Sequence, residues 1–181
     1  LFNIWKRQIA PSGISLNDED YTTLSLSLGL RNNNNNILLE EQLHRIKNAD
    51  RAKRYKIIMQ AVSSDTITRN RFFNSLSEKE NRQNESAVSS ALIYLHHPLR
   101  QNNAIQYLPK TLDLLQKIQK TGDIFFPDNW LRSTFSYYQN PKALKIVDVF
   151  LMQHSRGYNP VLRNKILQAT DNLRRAQKIA K

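Results

Sequence analysis

The chain has four histidines, His44, His96, His97 and His154, and their spacing argues against a metal site. No two of them stand four residues apart, which is the spacing that turns two imidazoles on one helix face towards zinc. Adjacent residues on a helix point about 100° apart, so His96 and His97 cannot readily share one ion. We therefore predict structural or capping roles for the histidines and no metal ligand in this chain.

Other catalytic signatures are also missing from the sequence. There is no glycine-rich phosphate loop and no nucleophile elbow, and without cysteine there is no thiol nucleophile. Two carboxylate pairs, Glu40 with Glu41 and Asp18 with Asp20, lie near predicted helix starts, where the helix dipole explains them without acid–base chemistry. We predict no catalytic residue in this chain.

Basic residues outnumber acidic ones by 12, and they are unevenly distributed. Residues 45–56 and 160–181 each contain six cations against one aspartate, so each segment carries +5. The first basic cluster comprises Arg45, Lys47, Arg51, Lys53, Arg54 and Lys56, and the second comprises Arg163, Lys165, Arg174, Arg175, Lys178 and Lys181. Lining one concave surface, the two clusters would attract a nucleic-acid backbone or an acidic peptide terminus. Two solvated helix faces are the simpler interpretation, which we favour.

The composition is typical of a globular helical domain. With 181 residues, 40% of them apolar and 23% charged, the chain is long enough for one core. No apolar run approaches the roughly 18 to 20 residues that span a bilayer, so no membrane role is expected. Residues 1–16 are predicted to form an extended lead-in. Because the sequence starts without Met or a recognisable targeting signal, we expect a fragment of a longer chain. Localisation cannot be read from a sequence without cysteine.

Apolar residues recur at spacings of three and four through most of the chain, which predicts helices. Asn140 with Pro141 and Asn159 with Pro160 mark two helix starts, each a capping side chain followed by a proline in the first turn. The second of these helices is predicted to run nearly to the end of the chain. Asp65 is predicted to cap another helix.

The middle of the chain is less regular. Pro109 must either kink the apolar stripe of residues 105–118 or start a new helix within it. Gly122 is predicted to end that stripe in the usual manner of a helix C-terminus. Upstream of it, Ser77 is predicted to cap a helix, with Glu80 completing a capping box.

Leucines alternate with small polar residues over positions 24–30, which is the period of a half-buried strand. We nevertheless predict a helix there, because Asn17 is a good N-cap and acidic residues follow it in the first turn. Residues 32–36, all asparagine, are predicted to form a polar, flexible turn.

Together these segments predict an all-α fold of about eight or nine helices, stacked as antiparallel pairs in a single domain over residues 1–181. The sequence contains no strict repeat. An α-solenoid of the armadillo or HEAT kind needs none, because each helix pair only has to present an apolar face to the next.

The segment TGDIFFPDNW at residues 121–130 is rich in aromatic residues for a helix connection. We predict that Ile124, Phe125, Phe126 and Trp130 pack into a junction between helix pairs, with Asp128 favouring the start of the next helix. A substrate-facing aromatic shelf is the alternative.

Five extended strings give the sequence a family resemblance. They are RIKNADRAKRY at 45–55, RFFNSL at 71–76, YLHHPLRQ at 94–101, TGDIFFPDNWL at 121–131 and YNPVLRNKILQATDNLRRA at 158–176. Together they resemble the C-terminal helical region of aminopeptidase N-type zinc metallopeptidases, the gluzincin aminopeptidases. The resemblance covers the chain from about Asp20 onward.

The resemblance implies a noncatalytic role for this region. In that family the His-Glu-x-x-His zinc helix, its downstream Glu ligand, the exopeptidase motif and the catalytic Tyr lie in a preceding thermolysin-like domain, and none is present here. The helical region covers the active site as a bowl of helical hairpins and limits which peptides enter. The implied partners are the upstream catalytic domain of the same polypeptide and a peptide substrate, and zinc belongs to the parent enzyme.

Family resemblance also implies substrate contacts. Basic side chains of the helical domain can meet the C-terminal part of a bound peptide in such hydrolases. Arg100, Arg132 or a residue of the two basic clusters are the implied candidates, with His96, His97 and Trp130 as neighbours. A guanidinium suits a carboxylate because it donates two parallel hydrogen bonds.

Two other hypotheses remain open beside the aminopeptidase domain. One is a stand-alone helical-repeat protein that binds nucleic acid through its two basic clusters, with affinity that falls steeply with salt. The other is a protein-interaction scaffold with no enzyme attached. An aminopeptidase domain, in contrast, should expose an apolar surface where its partner domain would pack.

Overall fold

Every regular element of the described chain is a helix. The computed structural model describes residues 1–32 and 35–179, and no strand occurs within those ranges. The predicted all-α class is therefore confirmed. The chain divides into two compact units, Leu1–Phe72 and Phe73–Lys181, and the division falls within a helix. The single domain over residues 1–181 stays a prediction.

The first unit contains four helices and most of a fifth. They are α1 (Phe2–Arg7), α2 (Asp18–Arg31), α3 (Asn36–Arg45), α4 (Ala49–Val62) and α5 (Thr66–Ser75), which crosses the division. Helix α1 corrects the extended lead-in predicted for residues 1–16. It forms because Trp5 is fully buried and its indole N–H donates to Gln42 Oε1 at 2.7 Å, so the segment has a core contact to fold against.

Helix α2 confirms that the alternating leucines are helical. The Asn17 side chain accepts hydrogen bonds from the backbone N–H groups of Glu19 and Asp20, and Asp20 completes a capping box. Leu26 and Leu30, four residues apart, are buried on one helix face. The strong start signal thus outweighs the period-two pattern.

The asparagine run after α2 is only partly described, because residues 33 and 34 lie outside the described ranges. Asn35 is fully buried, contrary to a flexible turn. Its amide donates to the carbonyl oxygens of Gly29 and Val62, both at 2.8 Å, and its side-chain oxygen accepts from the Ser64 N–H at 3.0 Å. One amide therefore satisfies backbone groups at the ends of α2 and α4.

The second unit contains the remaining helices. They are α6 (Glu85–Leu95), α7 (Gln101–Ala104), α8 (Leu108–Asp113), α9 (Leu115–Thr121), α10 (Phe126–Phe135), α11 (Pro141–Gln153), α12 (Pro160–Ala169) and α13 (Asp171–Ile179), with 3₁₀ turns at Glu80–Arg82, Pro98–Arg100 and Ile105–Tyr107.

Several helices are shorter than predicted. Pro109 lies in the first turn of α8, which therefore starts afresh after a 3₁₀ turn, and Leu114 separates α8 from α9. The prediction of one long final helix is wrong, because the helix is interrupted at Thr170, between α12 and α13. There the buried Thr170 hydroxyl donates to the Ile166 carbonyl at 2.8 Å, and the same carbonyl accepts the Thr170 backbone N–H at 3.1 Å.

Most predicted caps are confirmed. Asp65, Asn140 and Asn159 each accept backbone N–H bonds at the start of a helix. Gly122 ends α9 as predicted, but its backbone is extended, with φ −104° and ψ 176°. A Cβ there would lie 2.7 Å from Phe126 Cδ1, so close packing explains the glycine.

Ser77 is not the cap of α6. Asn84 performs that role by accepting the Ala87 N–H at 3.1 Å. We expect Asn84→Ala to lower the free energy of unfolding by about 1 kcal/mol, because an N–H of the first turn loses its acceptor. The matched variant Ser77→Ala should change it by less than about 0.5 kcal/mol. Urea unfolding followed by circular dichroism compares the two, and equal losses would contradict the cap assignment.

Helix α10 is the centre of the second unit and packs most extensively against α6 and α12. Helices α6 and α10 run in the same direction, because contacts join both pairs of matching ends. At the start, the Asp123 N–H donates to Glu85 Oε1 at 2.8 Å, and at the end His96 Nδ1 lies 2.9 Å from the Tyr138 hydroxyl oxygen.

Candidate functional site

Trp130 lies in the core of the second unit. Its side chain is 0% exposed, and its indole N–H donates to the Thr111 carbonyl oxygen at 3.0 Å. The ring packs edge-on against Phe126 and stacks near Phe73, with centroid distances of 6.0 and 6.5 Å. Of the two roles considered for this residue, the structure therefore places it in core packing.

His96 is also fully buried, directly after α6. Its Nδ1 pairs with the Tyr138 hydroxyl, and the Tyr107 ring meets the imidazole edge-on at 6.2 Å. Its Nε2 has no hydrogen-bond partner among the described residues. Burial lowers the pKa of His96 to about 3, so the imidazole is neutral at physiological pH. The same burial raises the pKa of Tyr138.

His97 and Arg100 lie in the turn that follows α6. The His97 Nδ1 accepts the Leu99 N–H at 3.2 Å and so caps the 3₁₀ turn Pro98–Arg100. Gln101 then joins this turn to the chain after α10, because its amide donates to the Tyr137 carbonyl oxygen at 2.6 Å. Arg100 is half-buried in this turn.

Arg132 is exposed on α10, on the opposite side from Trp130. Two residues of separation turn their side chains by about 200°, so one points into the core and the other into solvent. The five candidates therefore do not form one surface. Arg132 is exposed, Arg100 and His97 are partly exposed, and His96 and Trp130 are internal.

The aromatic segment divides between core and surface. Phe126 and Trp130 are buried as predicted, but Ile124 and Phe125 are 71% and 69% exposed, so the prediction that all four pack internally is wrong. Asp123 fixes this turn by accepting the Phe125 N–H at 2.9 Å. Asp128 lies in the first turn of α10 and forms an ion pair with Lys165.

Most of the second basic cluster is used within the unit. Lys165 pairs with Asp128, Arg174 with Asp148 at 2.6 Å, and Arg175 with Asp171 at 2.7 Å. Arg163 donates to the Leu151 carbonyl oxygen at 3.1 Å. Lys178 is exposed, and Lys181 lies outside the described residues. This cluster is consistent with the simpler interpretation of helix faces rather than a ligand site.

In the first basic cluster, Arg45 is set apart from the others. Its guanidinium lies 4.7 Å from the Trp5 ring centroid and 2.5 Å from Glu41. A hydrogen bond from Lys6 and the positive charge of Arg45 lower the pKa of Glu41. Glu41 lies in the second half of α3 rather than near its start, and it forms ion pairs with Lys6 and Arg45. The other five cations of the cluster are exposed: Lys47, Arg51, Lys53, Arg54 and Lys56.

The described ranges contain no group of three or more histidine, aspartate and glutamate side chains that could hold a metal ion. His44 and His154 each bond through Nδ1 to the backbone carbonyl four residues earlier, at 2.8 and 2.9 Å. Likewise, no helix in those ranges has both the length and the apolar run needed to cross a bilayer.

One feature was missed from the sequence, a surface groove beside α11. Its lining includes Lys142, Lys145 and Val149, none of which the sequence analysis singled out. The sequence signal for this groove is the apolar content of α11, because Val149 and Met152 lie outside the buried face of that helix.

No protein-family model, curated protein or solved structure matches the chain.

Proposed function

We propose that this chain is the noncatalytic C-terminal helical domain of a zinc aminopeptidase of the gluzincin class. In this role it covers the active site and helps to admit and position peptide substrates, while zinc and the catalytic residues belong to the upstream domain. The five sequence strings support the proposal, and so does the all-helical fold of the regions that contain them.

We also propose that the helices stack as an armadillo/HEAT-like solenoid. In such a stack, equivalent helices of successive hairpins lie side by side and run in the same direction. The parallel arrangement of α6 and α10 supports this architecture.

Ile124 and Phe125 give this function its strongest structural support. Both lie in the string TGDIFFPDNWL, and both are mostly exposed. Two hydrogen bonds fix their position: the Asp123 N–H donates to Glu85, and the Asp123 carboxylate accepts the Phe125 N–H. Full burial of two such side chains would contribute about 3–6 kcal/mol to association. An exposed apolar pair held in place is what a domain presents where another domain packs on it.

Arg132 is the first candidate for contact with the peptide. Its exposed guanidinium can donate two parallel hydrogen bonds to a peptide carboxylate, and Arg100 and His97 remain secondary candidates. Trp130 and His96 would act by supporting α10 and the turn after α6, because both side chains are internal.

The gene upstream of the Leu1 codon provides the first test. We expect it to encode a His-Glu-x-x-His helix followed by a Glu ligand. The encoded upstream domain and this chain should then bind each other when expressed separately. The double variant Ile124→Ser/Phe125→Ser should weaken that binding at least about tenfold, which isothermal titration calorimetry measures.

A matched control removes apolar surface elsewhere. Val161 and Leu167, both exposed on α12, are replaced by serine in the same way, and this double variant should bind like the wild type. A stop codon or an unrelated domain upstream of Leu1 would contradict the function. Equal affinity of both double variants would contradict the contact assigned to Ile124 and Phe125.

The alternative function, nucleic-acid binding by a stand-alone helical-repeat protein, rests on α4 and the residues before it. Lys47, Arg51 and Lys56 are exposed, and none of them forms an ion pair within residues 1–32 and 35–179. Fluorescence anisotropy with a labelled duplex distinguishes the two functions. Affinity that falls steeply between 50 and 200 mM salt, by on the order of a hundredfold or more, would favour nucleic acid.

A further inference from the structure

An open groove runs along α11 in the second unit. It has a volume of about 570 Å³ and lies between α11 and residues 105–113, which include α8. Its apolar lining consists of Ile105, Pro109, Ile146, Val149 and Phe150, and its polar lining consists of Gln106, Asp113, Lys142, Lys145 and Gln153.

The groove exists because α11 has more apolar surface than its core contact buries. Ala143, Val147 and Phe150 are buried and form the face of α11 that packs on the core. Val149 and Met152 lie off that stripe and are 37% and 69% exposed. A helix whose outer face is partly apolar leaves surface that water solvates poorly, and such a surface is typical of a binding site.

Two lysines line the same groove. Lys142 and Lys145 are one turn apart on α11, and both are exposed. Neither forms an ion pair with any carboxylate in the described part of the chain. The nearby Asp148 forms its ion pair with Arg174. The single carboxylate of the lining, Asp113, comes from α8. The α11 side of the groove therefore offers positive charge beside apolar surface.

The exposed apolar surface continues past the groove. A second depression of about 320 Å³ is lined by Pro141, Leu144, Lys145, Asp148, Val149 and Met152. Lys145 and Val149 line both depressions, so the two meet on α11. Helix α11 has 13 residues and is therefore about 20 Å long, and the lining of the two depressions runs along it from Pro141 to Gln153.

We infer that this groove binds an amphipathic α-helix of a partner protein, with an apolar stripe in the groove and carboxylates along the edge that faces Lys142 and Lys145. Helix-in-groove recognition combines such a stripe with charge pairs at the rim. The charge pairs select the partner and its direction, while the apolar stripe supplies most of the affinity. The inference is independent of the proposed aminopeptidase role.

Two synthetic helices test this inference. Both have about 18 residues, enough to span α11, with leucine along one face and glutamate along its edges in the first peptide. The second peptide has lysine in place of every glutamate. Each is titrated into the ¹⁵N-labelled 181-residue chain while amide shifts are recorded. We expect the glutamate peptide to shift α8 and α11 and to bind at least tenfold more tightly than the lysine peptide.

Charge reversal provides the matched variants. Lys142→Glu/Lys145→Glu should weaken the glutamate peptide at least tenfold and strengthen the lysine peptide. Lys79→Glu/Lys120→Glu changes the net charge equally at exposed lysines outside the groove, and it should bind like the wild type. Val149→Asp should abolish binding of both peptides. Circular dichroism verifies that all variants are folded.

Three results would overturn the inference. Equal binding of the two peptides, or shifts away from α8 and α11, would remove the assigned recognition. Displacement of the glutamate peptide by decanoate at equal concentration would identify a small amphiphile as the occupant. Self-association of the wild-type chain that Val149→Asp abolishes would identify a second copy instead.

Discussion

Trp130→Ala is expected to lower the free energy of unfolding of the second unit by about 3–5 kcal/mol. The side chain is fully enclosed between α10 and its neighbours, so its removal leaves a cavity among Phe73, Phe126 and the helices around them. It also leaves the Thr111 carbonyl oxygen without its indole donor. Urea unfolding followed by circular dichroism at 222 nm measures the loss.

Trp130→Phe is the matched control. It keeps an aromatic ring in the cavity but removes the indole N–H, so we expect a smaller loss of about 1–3 kcal/mol. A Trp130→Ala variant as stable as the wild type would show that the side chain is not a core element. That result would reopen the substrate-facing role considered for this residue.

Acid is expected to unfold the second unit through His96. The imidazole takes up a proton near pH 6.5 in the unfolded chain but only near pH 3 in the folded chain, where burial lowers its pKa to about 3. The stability contributed by the neutral imidazole is therefore complete above pH 6.5. It decreases as the pH falls from 6.5 towards 3, by up to about 1.4 kcal/mol per pH unit.

The variant His96→Leu removes this titration. Its stability at pH 7 should be lower, because the Tyr138 hydroxyl loses its partner, but its dependence on pH between 6 and 4 should be shallower by up to about 1.4 kcal/mol per unit. Urea midpoints of both proteins across this interval measure the difference. Identical slopes, or a His96 pKa near 6.5 by NMR, would contradict the burial of a neutral imidazole.

Helix starts were predictable from sequence because their signals are local. Asn17, Asp65, Asn140 and Asn159 each satisfy N–H groups two or three residues away, so the residue type and its neighbours suffice. The prediction that Ser77 caps a helix was wrong, because Ser77 and Asn84 both have side chains that can cap and both precede α6. The 3₁₀ turn Glu80–Arg82 lies between these two residues, and α6 begins only after it, so Asn84 is the cap.

Helix breaks were less predictable because their causes are tertiary. Nothing local stops α12 at Ala169, since the apolar spacing continues through Leu173. The break falls at Thr170, which is buried and whose hydroxyl donates to the Ile166 carbonyl. Similarly, α1 forms around Trp5, whose partner Gln42 is 37 residues distant in sequence.

The candidate site shows the same limit. Residue type placed the candidates at residues 94–101 and in α10, yet it could not distinguish the exposed Arg132 from the internal Trp130 two residues earlier. The ion pairs of Lys165 and Arg174 in the second basic cluster were not predictable, because their partners, Asp128 and Asp148, belong to other helices. Net charge per segment is read from the sequence, but ion pairing requires the fold.

Each unit contains one of the two tryptophans, and both indoles are fully enclosed. Trp5 therefore reports on the first unit and Trp130 on the second, and both should emit at short wavelength until their own unit opens. With Trp5→Phe, the remaining emission follows only the second unit, and with Trp130→Phe only the first. The chain thus has a built-in optical probe for whether its two parts melt together or one after the other.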